Sequence, residues 1–439
     1  MCGGASERLW PMTNDARGKY CLQVLPKAGG GTETLIQRME GQLWAAGVEL
    51  EDMYYVTCKE QEEALRLELG EEANILVEPS RRGTFPAISL AVTYLLEKEH
   101  VRGDEPIICV PADTYADEIY AEDLMKMGER IVHRKEKLLL MGLFPYCYPD
   151  DYGYMVLKDK VDNGYSRVKR FVEKPSAEEA LRLTAEGAKW NAGVFAFLAG
   201  WMKKTLINKI GHADYTWITE NYDKLPMTSF DREVAEKEPS VSAAIYKGGW
   251  EDLGNWAGMS ERMFLPVAGE AIIDETCENT SVFNELELPV LVMGISNAIV
   301  CATPDGILLA DKKRSRQIKN YIHPFRTRPM QEQKRWGKYR VLTLKEYEDG
   351  SSALTKIMEI EEGKSISYQR HAKRDEIWTV LEGSGEVMLD GKTSVIHRGS
   401  VIEIKAGVQH KVQAIDNLQI IEVQLGSELS EGDIERFPD

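Results

Sequence analysis

Two groups of residues in this 439-residue chain have types and spacings suited to chemistry. Toward the C-terminus, Gln369, His371, Glu376 and His410 lie within one stretch punctuated by Gly363, Gly383, Gly399 and Gly407. Gln369 and His371 are two apart, so in a strand they share one face. A small barrel would bring Glu376 and His410 beside them. Imidazole, carboxylate and amide oxygen together form a donor set for a divalent transition metal. A barrel that keeps such residues and holds no metal is the alternative, and spacing leaves both open.

The second group begins at the other end, with GGASERLWP (3–11). Gly3 and Gly4 let backbone approach a phosphate chain, Arg8 offers a bidentate clamp, and Lys19 adds a point charge. A Gly-rich turn with surface cations is the bland alternative. Asp113 follows the apolar run IICV in CVPADTYADE. A carboxylate at the carboxyl end of a parallel strand sits where such sheets bind ligands. It suits Mg²⁺, which takes one or two carboxylates plus substrate phosphates, or it caps the next helix. Asp252, in GGWEDLGNW (248–256), offers a second carboxylate flanked by glycine and tryptophan.

Helical and strand patterns alternate from residue 32 to about 145 and would position these groups. Thr32 can cap a helix through Leu35, Ile36, Met39 and Leu43. Strands are expected over 53–58, 75–78, 107–110 and 138–143, with a helix over 87–98. This alternation predicts an α/β, Rossmann-like domain with a mostly parallel sheet over residues 1–264. From 265 to 325 short strand-like runs follow, at 289–295, 297–302 and 306–311. The stretch 323–338 is polar and basic with two prolines, and a linker is expected over 326–338. From 339 to 439, alternating strands with almost no helix predict a small all-β barrel.

The formal net charge is −17, which excludes a non-specific binder of nucleic acid or of anionic membranes. Seven scattered cysteines with no CxxC pair point to a reducing compartment and no disulfide framework. No apolar run reaches membrane-spanning length and no signal peptide is evident, so a cytoplasmic protein is expected.

The order of the motifs resembles that of the mannose-1-phosphate guanylyltransferases, many of which carry a C-terminal cupin domain and some of which also isomerise mannose 6-phosphate. GGASERLWP with Lys19, EPSRRGTFPAI (78–88), PAD (111–113), FVEKP (171–175), WNAGVF (190–195) and GWEDLGNW (249–256) match its runs in sequence. The resemblance implies transfer of GMP from GTP to mannose 1-phosphate with Mg²⁺, by a homo-oligomeric enzyme. Arg8 and Lys19 would hold the triphosphate beside Gly3 and Gly4. Arg82 and Thr84 would lie near the base or ribose, and Asp113 and Asp252 would hold Mg²⁺. Gly153, Glu173, Lys174 and Asn191 would bind the sugar phosphate. QRHAKRDEIW (369–378) is similar to the family's isomerase motif, which implies a metal on Gln369, His371, Glu376 and His410.

The chain departs from the pattern at several places. Ser6 replaces the loop's third glycine and Gly83 replaces an asparagine. In the cupin, Ile377 replaces a histidine and Lys405 a proline, and RFPD (436–439) lacks the family's final Tyr-Gly-Arg. In this fold a first central strand precedes the loop, and here only Met1 and Cys2 stand before it. The loop is therefore expected to lack its anchor, through truncation or in a crippled domain. A bifunctional enzyme and a silent sugar-nucleotide-binding paralogue are the alternatives to a guanylyltransferase.

Overall fold

The run LLLMGL folds as the strand Leu138–Leu143, buried on both faces, and the first half of the chain is layered around it. Its odd and even side chains enter different cores in the computed structural model. Leu139, Met141 and Leu143 pack with Tyr120, Leu124, Met127 and Ile131 of one helix. Leu138 and Leu140 pack with Phe85, Ile88 and Val92 of another. A strand covered twice must read as a continuous apolar run, as this one does. The structure describes residues 1–439 apart from 5, 28, 135, 147–151, 159–160, 162, 264, 326–327 and 439.

The first of two units comprises Met1–Leu9, Gly18–Leu265 and Lys313–Arg316. Its helices include α1 (Leu35–Ala45), α2 (Lys59–Leu69), α3 (Thr84–Glu97) and α4 (Ile119–Arg134). Its strands are β1 (Tyr54–Cys58), β2 (Asn74–Glu78), β3 (Pro106–Cys109), β4 (Thr114–Ala116), β5 (Leu138–Leu143), β6 (Tyr154–Leu157), β7 (Tyr165–Val172), β8 (Lys189–Leu198), β9 (Val241–Ile245) and β10 (Trp250–Asp252). β1 and β2 pair in parallel. A six-stranded sheet runs β3–β8–β5–β9–β7–β6. The α/β class holds, and within it the sheet is mixed: β5 and β9 are parallel, while β8 lies antiparallel between β3 and β5. Helix α1 is capped by Thr34, not by Thr32, which sits in the short strand Thr32–Glu33. Thr34 and Gln37 bond reciprocally as a capping box.

The second unit comprises Trp10–Arg17, Pro266–Lys312 and Gln317–Asp439. Short parallel strands stack first: Ala271–Ile273 on Val290–Val292, and Val267–Ala268, Ser281–Asn284 and Ala298–Thr303 in succession. Val282, Val292 and Val300 form the core between them. Residues 10–17 belong here, with Arg17 bonded to Glu285 at 2.9 Å and the Thr303 hydroxyl donating to the Pro11 carbonyl at 3.1 Å. Two facing sheets of a barrel follow, of six and five strands. The linker expectation needs correction, because Gln331–Lys334 is a strand paired antiparallel with Gly337–Glu346. Alternation over four residues was too short to outweigh the flanking prolines and charges. Arg326 and Thr327 of that stretch lie outside the described residues. Among the described residues no helix is long and apolar enough to cross a membrane, and the six described cysteines are free.

Candidate functional site

Met1 and Cys2 do anchor the Gly3–Gly4 loop, against the expectation. Their backbone bonds to β1 on one side and to the residues just after β3 on the other. The Met1 ammonium donates to Val110 O at 3.0 Å, Ala112 N donates to Met1 O, and Cys2 N donates to Val56 O at 2.7 Å. The Thr57 hydroxyl adds a bond to Cys2 O. Buried Gln61, on α2, holds the loop from behind: its amide donates to Gly4 O at 3.2 Å and its oxygen accepts from Tyr20 OH at 2.8 Å. Ser6 takes the positive φ (47°) that a glycine would, and its hydroxyl oxygen accepts from Lys19 N at 3.2 Å.

Lys19 is where the loop meets the carboxylates. Its ammonium forms an ion pair with Asp113 and stands 3.9 Å from Asp252. β4 and β10 pair antiparallel with Thr114 opposite Asp252, which brings Asp113 and Asp252, 139 positions apart, to one spot. Asp113 lies in the turn before β4 and caps no helix. Burial opposes the Lys19 ammonium, yet Asp113 and Asp252 outweigh it and hold its pKa raised. Burial likewise opposes the Asp113 carboxylate, and Lys19 outweighs it, so its pKa is lowered. Arg8, in the turn Glu7–Leu9, lies close enough for its charge to oppose that of Lys19. Gly254 completes the cradle: a Cβ there would meet Asp252 Oδ1 at 2.7 Å and Lys19 Nζ at 2.8 Å. Two carboxylates beside two cations at a glycine-rich loop form a donor set that fits Mg²⁺.

Arg82 and Thr84 are placed differently from the loop. Arg82 donates twice to the Leu225 carbonyl, at 3.1 and 2.9 Å, and the Thr84 hydroxyl oxygen accepts from Phe230 N. Both tie the start of α3 to the 225–230 segment. At Gly83 that segment approaches so closely that a Cβ would stand 2.6 Å from Thr228 O, which leaves no room for an asparagine. The residue beside the loop is Glu78, at the end of β2. It is buried, accepts from Tyr222 OH at 2.6 Å, and is pushed up to about 7 by burial. Its Oε1 stands 3.2 Å from where a Cβ on Gly3 would be.

Gly153, Glu173, Lys174 and Asn191 are brought together. Asn191 donates its backbone N–H to Gly153 O at 2.8 Å. A Cβ on Gly153 would lie 2.6 Å from Glu173 Oε2, so only glycine leaves the carboxylate its place. Lys174 holds a positive φ of 47° and is 3.9 Å from Glu173, a backbone strain of the sort found at ligand clamps. The β8 register shifts between Asn191 and Phe195, a bulge that re-aims Asn191. Burial, then the carboxylate of Asp231, pushes Glu173 up to about 7. Four residues of consequence here were not singled out in the sequence. Gln61 and Asp231 are single polar residues outside every motif quoted; Glu78 and Gly254 sat inside quoted motifs unremarked.

In the barrel, Arg374–Glu382 and Leu418–Gly426 pair so that one inward face is apolar at one end and charged at the other. His371, Glu376 and His410 offer ligand atoms within 4.8 Å of one another. His371 Nε2 is 3.0 Å and His410 Nε2 is 3.6 Å from the Glu376 carboxylate. The Val408 carbonyl lies 3.0 Å from His410 Nδ1 and so assigns it the proton, while buried Nε2 has no hydrogen-bond partner. Burial holds His410 lowered, hence neutral, and burial of Glu376 is outweighed first by its hydrogen bond with His371, so its pKa falls well below the carboxylate range. A neutral imidazole with its second nitrogen fixed is a prepared metal ligand, and the triad fits a divalent metal. Gln369 is adjacent, its amide nitrogen 3.4 Å from His371 Nε2. Arg374 shares the cluster, donating to Glu376 at 3.1 Å. Glu422, paired with Lys356 at 3.0 Å, is pushed up to about 7 by burial and by Glu376.

Comparison with known proteins adds to this geometry. A family model for nucleotidyl transferases matches residues 1–264, and one for the mannose-6-phosphate isomerase C-terminal domain matches 326–439. A mannose-1-phosphate guanylyltransferase of Escherichia coli K12 is 30% identical, with 100% of this chain and 97% of that protein covered. The alginate biosynthesis protein AlgA of Pseudomonas fluorescens is 27% identical, with 100% and 95% covered. The crystal structure of mannose-1-phosphate geranyltransferase from Thermus thermophilus is similar with a TM-score of 0.61 and 27% identity, over 74% of this chain and 100% of that one.

Proposed function

Because the chain belongs to the nucleotidyl transferase family, with a mannose-6-phosphate isomerase C-terminal domain behind it, we propose that it is a mannose-1-phosphate guanylyltransferase. It transfers GMP from GTP to α-D-mannose 1-phosphate and releases pyrophosphate. The observation that carries this reading is Lys19 held between Asp113 and Asp252 beside the Gly3–Gly4 loop.

A sugar-phosphate oxygen attacks the nucleotide α-phosphorus, and the bond to pyrophosphate breaks. The nucleophile is already an anion, so no side chain need remove a proton; positioning and charge stabilisation carry the step. Arg8 and Lys19 hold the triphosphate and balance the charge that develops on pyrophosphate. Asp113 and Asp252 would hold Mg²⁺, which when bound supplies further charge neutralisation. Glu78, whose Oε2 already accepts from Tyr222 OH, offers Oε1 beside the loop to an N–H donor such as guanine presents. Glu173 and Asn191 bind sugar hydroxyls, and Lys174 faces the phosphate.

Pyrophosphate release by the purified chain with Mg²⁺, across a panel of NTPs and sugar 1-phosphates, tests the reading. GTP with mannose 1-phosphate should be the preferred pair, and no release with any pair would overturn it. A second activity, interconversion of mannose 6-phosphate and fructose 6-phosphate, is supported by the His371–Glu376–His410 cluster in the isomerase-type domain. Fructose 6-phosphate consumption with added divalent metal tests it. The free thiols support a cytoplasmic site of action. Exposed Ile272, Leu288, Leu291 and Met293 support a homo-oligomer.

A further inference from the structure

Asp231 opens the short π-helix Asp231–Ala235, 40 residues beyond Asn191 in sequence, and has no part in the chemistry above. Its Oδ1 accepts from Asn191 Nδ2 at 2.6 Å. On its other side the Asn191 amide accepts from Gly193 N at 3.2 Å through Oδ1. These two contacts fix which way the amide faces. Flipped, it would set its oxygen against a carboxylate and its NH₂ against a backbone N–H. One amide hydrogen is then committed to Asp231, and the second has no protein partner among the described residues. Asn191 is buried, so that free hydrogen is costly unless a ligand takes it.

The charges that act on Glu173 beside it are those of Asp231, Lys174, Arg232 and Glu236. Asn191 offers a neutral N–H among these charged groups. We propose that Asp231 is the positioning residue of the sugar-phosphate subsite: it locks the Asn191 amide so that the remaining N–H is presented to a hydroxyl of the sugar phosphate. The inference rests on the guanylyltransferase reading and adds to it the group that orients the acceptor substrate. Asp231 does not touch the substrate itself.

The test compares the parent with Asp231→Ala and Asp231→Asn in the full chain with Mg²⁺, measuring kcat and both KM values. Asp231→Ala frees the amide to rotate, and the KM for mannose 1-phosphate should rise about tenfold, the equivalent of one hydrogen bond. The KM for GTP should stay within about twofold, a split that general loosening of the fold would not produce. Asp231→Asn keeps an acceptor oxygen at the same place, so its KM for the sugar phosphate should stay within about threefold of the parent. Should Asp231→Ala not fold, Asp231→Leu replaces it, branched at the same carbon, larger, and without an acceptor. An unchanged KM in the Ala or Leu variant would overturn the inference, as would an Asn variant as impaired as either, or equal rises in both KM values. No pyrophosphate release by the parent would overturn the guanylyltransferase reading beneath it; any of the other adverse results, with the parent active, overturns the inference alone.

Discussion

Lys19, Asp113 and Asp252 keep 18%, 30% and 27% of their side chains exposed, whereas His371, Glu376 and His410 keep 2% or less. The first cluster sits at the water's edge on a two-stranded ribbon, and its cation answers two carboxylates. That suits a site that must admit a triphosphate and let pyrophosphate leave. The second lies inside a barrel with its groups closed on one another. Glu376 accepts from Arg374, Gln424 and Trp378 and also faces His371. A charge buried so completely is part of what holds the barrel together as well as a ligand in waiting. The same kinds of residue are therefore held half-open in one region and closed on one another in the other.

Substitutions at the two carboxylates should separate these roles. Asp113→Asn removes a proposed metal ligand and the nearer of the two carboxylates that compensate Lys19 while changing almost no volume. Turnover should fall by about a thousandfold or more, with circular dichroism and the thermal midpoint near those of the parent. Near-normal rates in Asp113→Asn would show that the carboxylate pair is not the metal site. Glu376→Ala should do the reverse. It leaves the Arg374 guanidinium, 4% exposed, without its carboxylate. Breaking a buried pair in this way costs about 3–5 kcal/mol, which urea unfolding of the full chain should register. Pyrophosphate release should change by less than about twofold, since no step of the transfer uses Glu376. A stable Glu376→Ala chain would mean that the barrel's charges contribute little to its fold.

The regions also differed in how much could be read in advance. In the barrel, the step of two from Gln369 to His371 put those residues on one strand face, while Glu376 and His410, on other strands, were legible only through the motif they sit in. The phosphate loop and Asp113 were visible as motifs, but their meeting with Asp252 depends on β4 pairing with β10, which no local pattern announces. Gln61 reaches Gly4 across 57 residues and Tyr222 reaches Glu78 across 144. Each is one polar residue in an ordinary element, and only the folded chain shows what it touches. Arg82 shows the converse: its motif was plain, yet both of its closest bonds hold the Leu225 carbonyl. The loop's anchor was misjudged because two residues suffice to bond to both neighbouring strands, a consequence of backbone geometry that side-chain patterns do not carry.

Ser6 gives the finest test of the open site, because there a departure from the glycine pattern can be weighed group by group. A non-glycine residue at φ 47° costs about 1–2 kcal/mol. Against that, its hydroxyl accepts from Lys19 N at 3.2 Å, a bond that contributes about 0.5–1.5 kcal/mol. Ser6→Gly removes the strain and the bond together, so the two effects nearly offset. It also frees backbone in the unfolded chain, which lowers stability by about 0.5–1 kcal/mol. The expected result is a thermal midpoint unchanged or slightly lower, and a kcat within about threefold of the parent. Ser6→Ala keeps the strain and loses the bond, so it should be the worse of the two, by less than about 2 kcal/mol in stability. If Ser6→Gly instead raised turnover by two orders of magnitude, serine would be the defect that its place in the motif suggested. If Ser6→Ala matched the parent, the Oγ bond to the Lys19 amide would not be what holds the lysine to the loop.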